Sequence, residues 1–293
     1  MFTATLIAAG RLSPQTLSDA QERLAAAGCA PVAAGWLDEG DAADIPFGLS
    51  PDAARQALEG ALDRVDVVVQ PLAGREKRLL VADMDSTMIT VECIDELADY
   101  AGIKPQIAEI TEAAMRGELD FAAALDARVA LLKDLGADAI DRCRAERVKL
   151  MPGAVTLVRT MRARGATSIL VSGGFTAFAD AVGEEIGFNR VIANRLEVKD
   201  GKLAGTVIKP IVDSATKERT LREARVELGL AEEATLAVGD GANDLAMINI
   251  AGLGVAYHAK PIVAAAAGAR IDHNDLTALL WAQGLPRREW VAG

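Results

Sequence analysis

Two aspartates that follow a short apolar stretch are the residues of this 293-residue chain best suited to chemistry. Residues 79–82 read as a strand that is buried on both faces, and Asp83, Asp85 and Thr87 come directly after it. Because Asp83 and Asp85 are two positions apart in extended chain, both carboxylates can face one crevice, where like charges disfavour each other unless a cation lies between them. The stretch therefore predicts a cation site, with an Asp-rich turn that caps a helix at Thr87 as the alternative.

Two further predicted strands, at residues 167–171 and 235–238, also end in polar residues. The residues at these ends are Ser172, Gly173, Asp240, Asn243 and Asp244. Glycine beside a hydroxyl leaves backbone N–H groups free to approach an anion, and acidic and amide groups suit a cation or a phosphate. Since parallel strands joined by right-handed crossovers end at the same edge of a sheet, all these residues should surround one crevice.

Three charged residues stand at helical positions that ordinary packing explains poorly. Lys217 lies in the first turn of a helix capped by Asp213 or Ser214, where the helix dipole disfavours a cation, so it needs a nearby anion or is simply exposed. Arg128 projects from the apolar face of its helix, either towards a ligand or as a side chain that packs its stem on the core. Glu92 near a helix start is either a site residue or an ordinary first-turn acid.

The order of predicted elements indicates an α/β protein with three parts. Residues 1–75 read as strand–helix–strand–helix–strand, with the middle strand near 31–37, which predicts a small α+β domain of ferredoxin-like type, either regulatory or serving packing or dimerisation. Residues 71–77 are the predicted linker. From 78 to 293 strands and helices alternate, except at about 90–150, where four helical stripes without a strand predict an inserted cap.

The amino-acid composition limits the partners, metals and compartments that this protein can be expected to have. The net charge of −11 argues against a nucleic acid or an anionic membrane surface as partner, since both need a basic face. The three cysteines form no CxxC pair, which favours a reducing compartment, and two histidines are too few for a typical zinc site. No basic segment opens the chain and no apolar run reaches the length of a membrane span, so we expect a cytoplasmic protein. The oligomeric state cannot be predicted.

The motifs, taken in combination, resemble those of the haloacid dehalogenase superfamily, and within it the phosphoserine phosphatases. The similar segments are Asp83-Met84-Asp85-Ser86-Thr87, Glu92, Phe121 with Arg128, Val171-Ser172-Gly173-Gly174-Phe175, Lys217 and Gly239-Asp240-Gly241-Ala242-Asn243-Asp244. The resemblance covers residues from about 78 to 285 and leaves out the N-terminal domain. It implies a Rossmann-like parallel sheet core and Mg²⁺-dependent hydrolysis of the small molecule O-phospho-L-serine to L-serine and phosphate, the last step of serine biosynthesis.

The resemblance also implies a role for each site residue. Asp83 is the expected nucleophile, which forms an aspartyl-phosphate, and Asp85 the expected general acid and base. The expected Mg²⁺ ligands are Asp83, the main-chain carbonyl of Asp85, and Asp240. The expected supporting roles are charge compensation by Lys217, phosphoryl binding by Ser172, Gly173 and Asn243, structural support by Thr87, and orientation of Lys217 or of a metal-bound water by Asp244. Arg128 and Glu92 are expected to bind the carboxylate and ammonium of the substrate.

Two other functions stay open at this point. A phosphotransferase of the same fold would pass the phosphoryl group to an alcohol such as homoserine instead of water. A non-catalytic protein would use a degenerate site only to bind an effector, which requires a missing nucleophile or metal ligand, and none of these residues is missing.

Overall fold

The computed structural model describes residues 1–115 and 118–293. The elements of the N-terminal part are β1 (Phe2–Ala8), α1 (Pro14–Ala26), β2 (Gly35–Asp38), β3 (Ala42–Phe47), α2 (Pro51–Leu58) and β4 (Val65–Pro71). The second part begins with the core strand β5 (Leu79–Ala82), which is followed by the cap helices α3 (Cys93–Tyr100), α4 (Lys104–Met115), α5 (Phe121–Ala130) and α6 (Asp138–Arg147). The remaining ones are α7 (Ala154–Ala163), β6 (Thr167–Phe175), α8 (Thr176–Ile186), β7 (Arg190–Lys199), β8 (Lys202–Ile208), α9 (Ser214–Glu227), β9 (Thr235–Gly239), α10 (Leu245–Ile248), β10 (Leu253–Tyr257), α11 (Pro261–Ala266), β11 (Ala269–Ile271) and α12 (Ala278–Ala282).

The N-terminal elements form a four-stranded antiparallel sheet in the order β2-β3-β1-β4. Its first helix begins where predicted, because the Ser13 hydroxyl accepts a hydrogen bond from the Thr16 N–H at 3.0 Å and Pro14 suits the first helical position. The predicted ferredoxin-like type is confirmed, but the prediction of three strands was wrong. The additional strand β3 escaped notice because Asp44 and Pro46 break its apolar pattern.

The larger part of the chain forms a seven-stranded sheet in the order β11-β10-β9-β5-β6-β7-β8. Every neighbouring pair is parallel except β7 and β8, which form an antiparallel hairpin with its turn at Asp200 and Gly201. The predicted parallel sheet core is confirmed. All four residues of β5 are buried, and β6 and β9 flank this strand, so the polar residues that follow these three strands meet at one edge.

Four helices, α3 to α6, form the predicted cap, of which residues 116 and 117 lie outside the described residues. The chain enters and leaves the cap side by side: Thr90 N–H donates to the Lys149 carbonyl at 3.0 Å, and Met151 N–H donates to the Met88 carbonyl at 2.9 Å. On the far side, Asp126 of α5 pairs with Lys209 after β8 at 2.8 Å. The cap is thus joined to the core where the chain enters and leaves it, and it is also paired to the segment after the β7–β8 hairpin.

The two sheets are joined by hydrogen bonds from buried polar groups. Asp66 of β4, 3% exposed, accepts bonds from the backbone N–H groups of residues 272–274. The Gln70 amide donates to the Ala282 carbonyl at 2.6 Å, and the Trp281 indole donates to Asp38 at 2.6 Å. We propose residues 1–75 and 78–293 as the two domains, packed through this polar face. Of the helices in the described ranges, none has both the length and the apolarity needed to cross a bilayer.

Candidate active site

A cavity of about 650 Å³ lies between the strand ends of the core and the cap. The predicted site residues that line it are Asp83, Asp85, Glu92, Arg128, Gly173, Asp240 and Asn243. The other predicted site residues, Thr87, Ser172, Lys217 and Asp244, are fully buried behind this surface. The structure therefore brings the whole predicted set to one place, although its members come from five separate segments of the chain.

Lys217 lies at the centre of the buried layer. Its ammonium donates to the Asp83 carboxylate and, at 2.6 Å, to Oδ1 of Asp244. The N-cap residue Asp213, which accepts a bond from the Thr216 N–H at 2.8 Å, starts the helix that delivers it. Burial by itself would lower the pKa of Lys217, but attraction from the two carboxylates outweighs burial and raises it. Of the two interpretations of this lysine, the one with nearby anions is confirmed.

Asp244 uses both carboxylate oxygens within the protein. Its Oδ1 accepts from Lys217, and its Oδ2 accepts from the Gly241 N–H at 2.9 Å. A Cβ at Gly239 would collide with the Asp244 side chain, so this close approach requires glycine there. With both oxygens occupied, Asp244 is placed to orient Lys217.

Three carboxylates form an acidic cluster at the base of the cavity. Oxygen atoms of Asp83, Asp240 and Asp244 all lie within 4.8 Å of one another, and the Thr87 hydroxyl donates to Asp240 at 3.3 Å. Burial and repulsion from Asp244 raise the pKa of Asp240 to about 6, and they raise that of Asp83 as well, against the opposing charge of Lys217. These carboxylates offer only oxygen ligands, which suit a hard divalent cation. A bound cation would reduce the repulsion between the carboxylates. Since Asp244 is already engaged, Asp83 and Asp240 are the carboxylates left for such a cation.

Asp85 faces the cavity beside this cluster. Its Oδ1 accepts a hydrogen bond from the Cys93 N–H at 3.1 Å, at the start of α3. Burial and repulsion from Glu92 raise the pKa of Asp85 to about 7, although the bonds from Cys93 oppose this shift. A Cβ at Gly174 would lie 2.8 Å from Oδ2 of Asp85, so the neighbouring strand end must be glycine. Near neutral pH this carboxyl group can both donate and accept a proton.

The carboxyl end of β6 is fixed by a residue that sequence reasoning missed. Asn194, 1% exposed, donates from Nδ2 to the Gly173 carbonyl at 2.8 Å and accepts at Oδ1 from the Val212 N–H at 2.7 Å. The Ser172 hydroxyl oxygen accepts from the Gly174 N–H at 2.8 Å, which leaves its own O–H to donate. An amide side chain in the largely apolar segment 190–208 was the one available signal for Asn194.

The cap contributes charges of both signs. Glu92 accepts a hydrogen bond from the Ser86 hydroxyl at 2.7 Å. Arg128 is half-buried, and its Nε donates to the Ala124 carbonyl at 3.2 Å. Within the described ranges, no carboxylate lies within 4.0 Å of a guanidinium nitrogen of Arg128. Burial lowers the pKa of Arg128, and the more distant carboxylates oppose that shift. Its guanidinium lines the cavity without an ion-pair partner among the described residues.

Two further charged residues of the lining were not predicted. Asp95 follows Glu92 on α3, and Lys260 lies between β10 and α11, with its backbone N–H donating to the Asp240 carbonyl at 3.2 Å. Neither belongs to a pattern that distinguishes it in the sequence from an ordinary exposed charge.

An open parallel sheet with carboxylates after its central strands, closed by a helical cap, is typical of α/β proteins that bind a ligand at the carboxyl ends of their strands. Comparison with known families agrees with this class: the profile of the haloacid dehalogenase-like hydrolases matches residues 80–249. The chain belongs to that family, which confirms the resemblance seen in the sequence.

Individual proteins of the family are also similar to this chain. A phosphoserine phosphatase of Streptomyces coelicolor is 48% identical over 235 residues, which cover 80% of this chain and 57% of that protein, so the chain spans little more than half of that relative. A solved probable phosphoserine phosphatase from Vibrio cholerae superposes with a TM-score of 0.78 at 32% identity, covering 98% of this chain and 88% of that one. A phosphoserine phosphatase solved as a phospho-aspartyl intermediate analogue gives a TM-score of 0.65 at 38% identity, covering 70% and 98%.

Proposed function

We propose that this protein is a Mg²⁺-dependent phosphatase that hydrolyses O-phospho-L-serine through an aspartyl-phosphate on Asp83, as the last step of serine biosynthesis. The observation that carries the proposal is that one cavity is lined both by Asp83, which the buried Lys217 holds, and by Arg128, whose guanidinium has no carboxylate within 4.0 Å among the described residues. Asp83 with Lys217 suits phosphoryl transfer, and the guanidinium of Arg128 suits the binding of a substrate carboxylate. The names of the relatives, phosphoserine phosphatase, support the same substrate.

The site must first offset the charge of the substrate, because the oxygens of a phosphomonoester repel an anionic nucleophile. Lys217 contributes a buried positive charge next to Asp83. The carboxylates of Asp83 and Asp240, with the carbonyl of Asp85, would hold Mg²⁺, which when bound supplies further positive charge for the phosphoryl oxygens.

The chemistry then proceeds in two displacements. A carboxylate oxygen of Asp83 forms a bond to phosphorus, the bond from phosphorus to the serine oxygen breaks, and Asp85 gives its proton to that oxygen. In the second step, Asp85 takes a proton from a water molecule whose oxygen attacks phosphorus. The bond between phosphorus and Asp83 breaks, so phosphate leaves and both aspartates return to their initial states.

Binding groups for the phosphoryl oxygens come from two loops. The Ser172 hydroxyl has a free proton because its oxygen only accepts from Gly174, and the loop of Gly173 is held in place by Asn194. Asn243 lines the cavity on the opposite strand end. We assign these three residues to phosphoryl binding, with Thr87 supporting Asp240 through their hydrogen bond.

Specificity is assigned to the cap. Arg128 offers a planar pair of donors to the carboxylate of an amino-acid substrate, and Glu92 offers a negative charge to its ammonium. Phe121 packs against Gly173 so closely that a Cβ there would lie 3.1 Å from its ring, so the cap meets the core beside the phosphoryl site. Closure of the cap over the bound substrate would exclude bulk water from the site.

Substitution of Arg128 by lysine tests this assignment. Because an ammonium cannot reproduce the two-point grip of guanidinium on a carboxylate, kcat/KM for phosphoserine should fall by about 10- to 100-fold. Phosphoethanolamine lacks the carboxylate, so it should be a poor substrate whose kcat/KM hardly changes. Steady-state kinetics with both esters on both proteins measures this. Parallel losses with the two esters would instead indicate that Arg128 only packs its stem on the core.

The function itself is tested by a phosphate-release screen over phosphomonoesters, with and without Mg²⁺. We expect phosphoserine to be the preferred ester and release to stop when the metal is chelated. Adding homoserine should leave free phosphate as the product. Preference for an ester without an amino-acid group, or formation of phosphohomoserine, would contradict the proposal.

A further inference from the structure

The lining of the active-site cavity is acidic, although the proposed substrate is an anion. Among its described residues, five carboxylates face only two cations, Arg128 and Lys260. The acidic residues are Asp83, Asp85, Glu92, Asp95 and Asp240. The whole chain adds a net charge of −11, so the long-range field also opposes the approach of a phosphate dianion. A bound divalent cation would offset the charge of the lining but not the long-range field of the whole chain.

The cations near the reacting atoms are not free to meet the incoming phosphate. Lys217 is fully buried and bonded to two carboxylates, so an approaching anion cannot reach it first. Arg128 stands on the cap and is assigned above to the substrate carboxylate. The Mg²⁺ that the acidic cluster would hold lies at the base of the cavity, so a positive charge at the edge, on the core side, has to come from another residue.

Lys260 is the lining residue that meets this need. It is exposed at the edge of the cavity, and in the part of the chain that the structure describes its ammonium has no carboxylate within 4.0 Å. Its backbone is anchored, because its N–H donates to the Asp240 carbonyl at 3.2 Å and its carbonyl accepts from the Val263 N–H at 2.9 Å at the start of α11. An anchored backbone with a free, long side chain places a mobile charge beside the phosphoryl site.

We propose that Lys260 captures the phosphate of an incoming phosphomonoester at the edge of the cavity and guides it to the acidic cluster. This inference rests on the proposed function and deepens it, since it names the residue that overcomes the unfavourable field. Lys260 acts on encounter and not in the displacement, so it should affect kcat/KM and leave kcat nearly unchanged.

The test compares the parent with Lys260→Gln, Lys260→Arg and Lys202→Gln. In Lys260→Gln, kcat/KM for phosphoserine should fall about tenfold at low salt, with kcat within about twofold of the parent. The deficit should shrink at about 1 M salt, where the Debye length is about 3 Å. Lys260→Arg keeps the charge and should stay within about threefold of the parent. Lys202 is an exposed lysine outside the cavity lining, so its replacement matches the change in net charge and should have no effect.

An unchanged kcat/KM in Lys260→Gln, an equal loss in Lys202→Gln, a loss confined to kcat, or a deficit that persists at high salt would overturn the inference. Calorimetric titration with inorganic phosphate in the presence of Mg²⁺ separates it from the proposed function. If the parent fails to hydrolyse phosphoserine but phosphate binds more weakly to Lys260→Gln, the function is wrong and the inference stands. If the parent is active and both proteins bind phosphate equally, the inference alone fails.

Discussion

Replacing Asp83 by asparagine should lower kcat for phosphoserine by at least about 10⁴-fold while the protein stays folded. The amide has nearly the same shape as the carboxylate but lacks the charge that attacks phosphorus. Lys217 keeps its bond to Asp244, so the buried ammonium is not left without a partner. Phosphate release measures the activity, and thermal unfolding measures whether the fold is retained.

A matched control is Asp180→Asn, which makes the same chemical change at an exposed position on α8. This variant should keep kcat within about twofold of the parent, since surface substitutions away from special features have little effect. Activity of Asp83→Asn within tenfold of the parent would rule out Asp83 as the nucleophile.

Replacing Asp85 by asparagine should lower the turnover of phosphoserine by about 10²- to 10⁴-fold, because the serine oxygen needs a proton as it leaves. The half-buried carboxyl group that supplies it has its pKa raised to about 7, so it is partly protonated near neutrality. With p-nitrophenyl phosphate, formation of the intermediate should be affected much less, since the phenolate leaves without a proton. The burst of p-nitrophenol in a stopped-flow experiment reports this first step.

The comparison of the two esters is essential to this prediction. Equal losses in the rate of intermediate formation with phosphoserine and with p-nitrophenyl phosphate would show that Asp85 is not the acid. A general distortion of the site would produce that result, since it would slow both esters alike.

The sheet core could be predicted because its strands are short, apolar and ended by polar groups. Residues 79–82 are buried on both faces, as their composition requires, and the helices of the cap follow their apolar stripes. Strand β3 could not be recognised, since Asp44 serves long-range partners: it accepts from Thr5 at 2.7 Å and pairs with Arg75 at 2.6 Å. Contacts of that kind leave no local pattern in the sequence.

In the candidate site too, some residues could be predicted from the sequence and others could not. Asp83, Asp85 and Asp240 follow strands and could be placed at one edge from the topology alone. For Lys217 the sequence left two interpretations, and only the packing of α9 against the core decides between them, since it brings Asp83 and Asp244 to the ammonium. Asn194 and Lys260 depend on folding of distant segments, so the sequence offered a weak signal for the first and none for the second.

The most direct measurement is to mix the protein with phosphoserine and Mg²⁺, quench with acid within the first turnover, and map the phosphoryl group by mass spectrometry of peptides. We expect a phosphorylated peptide that contains residue 83, absent from the Asp83→Asn variant and lost when the quenched sample is treated with hydroxylamine, which cleaves acyl phosphates. A parent protein that releases phosphate without ever carrying it on Asp83, or that carries it on another residue, would contradict the account.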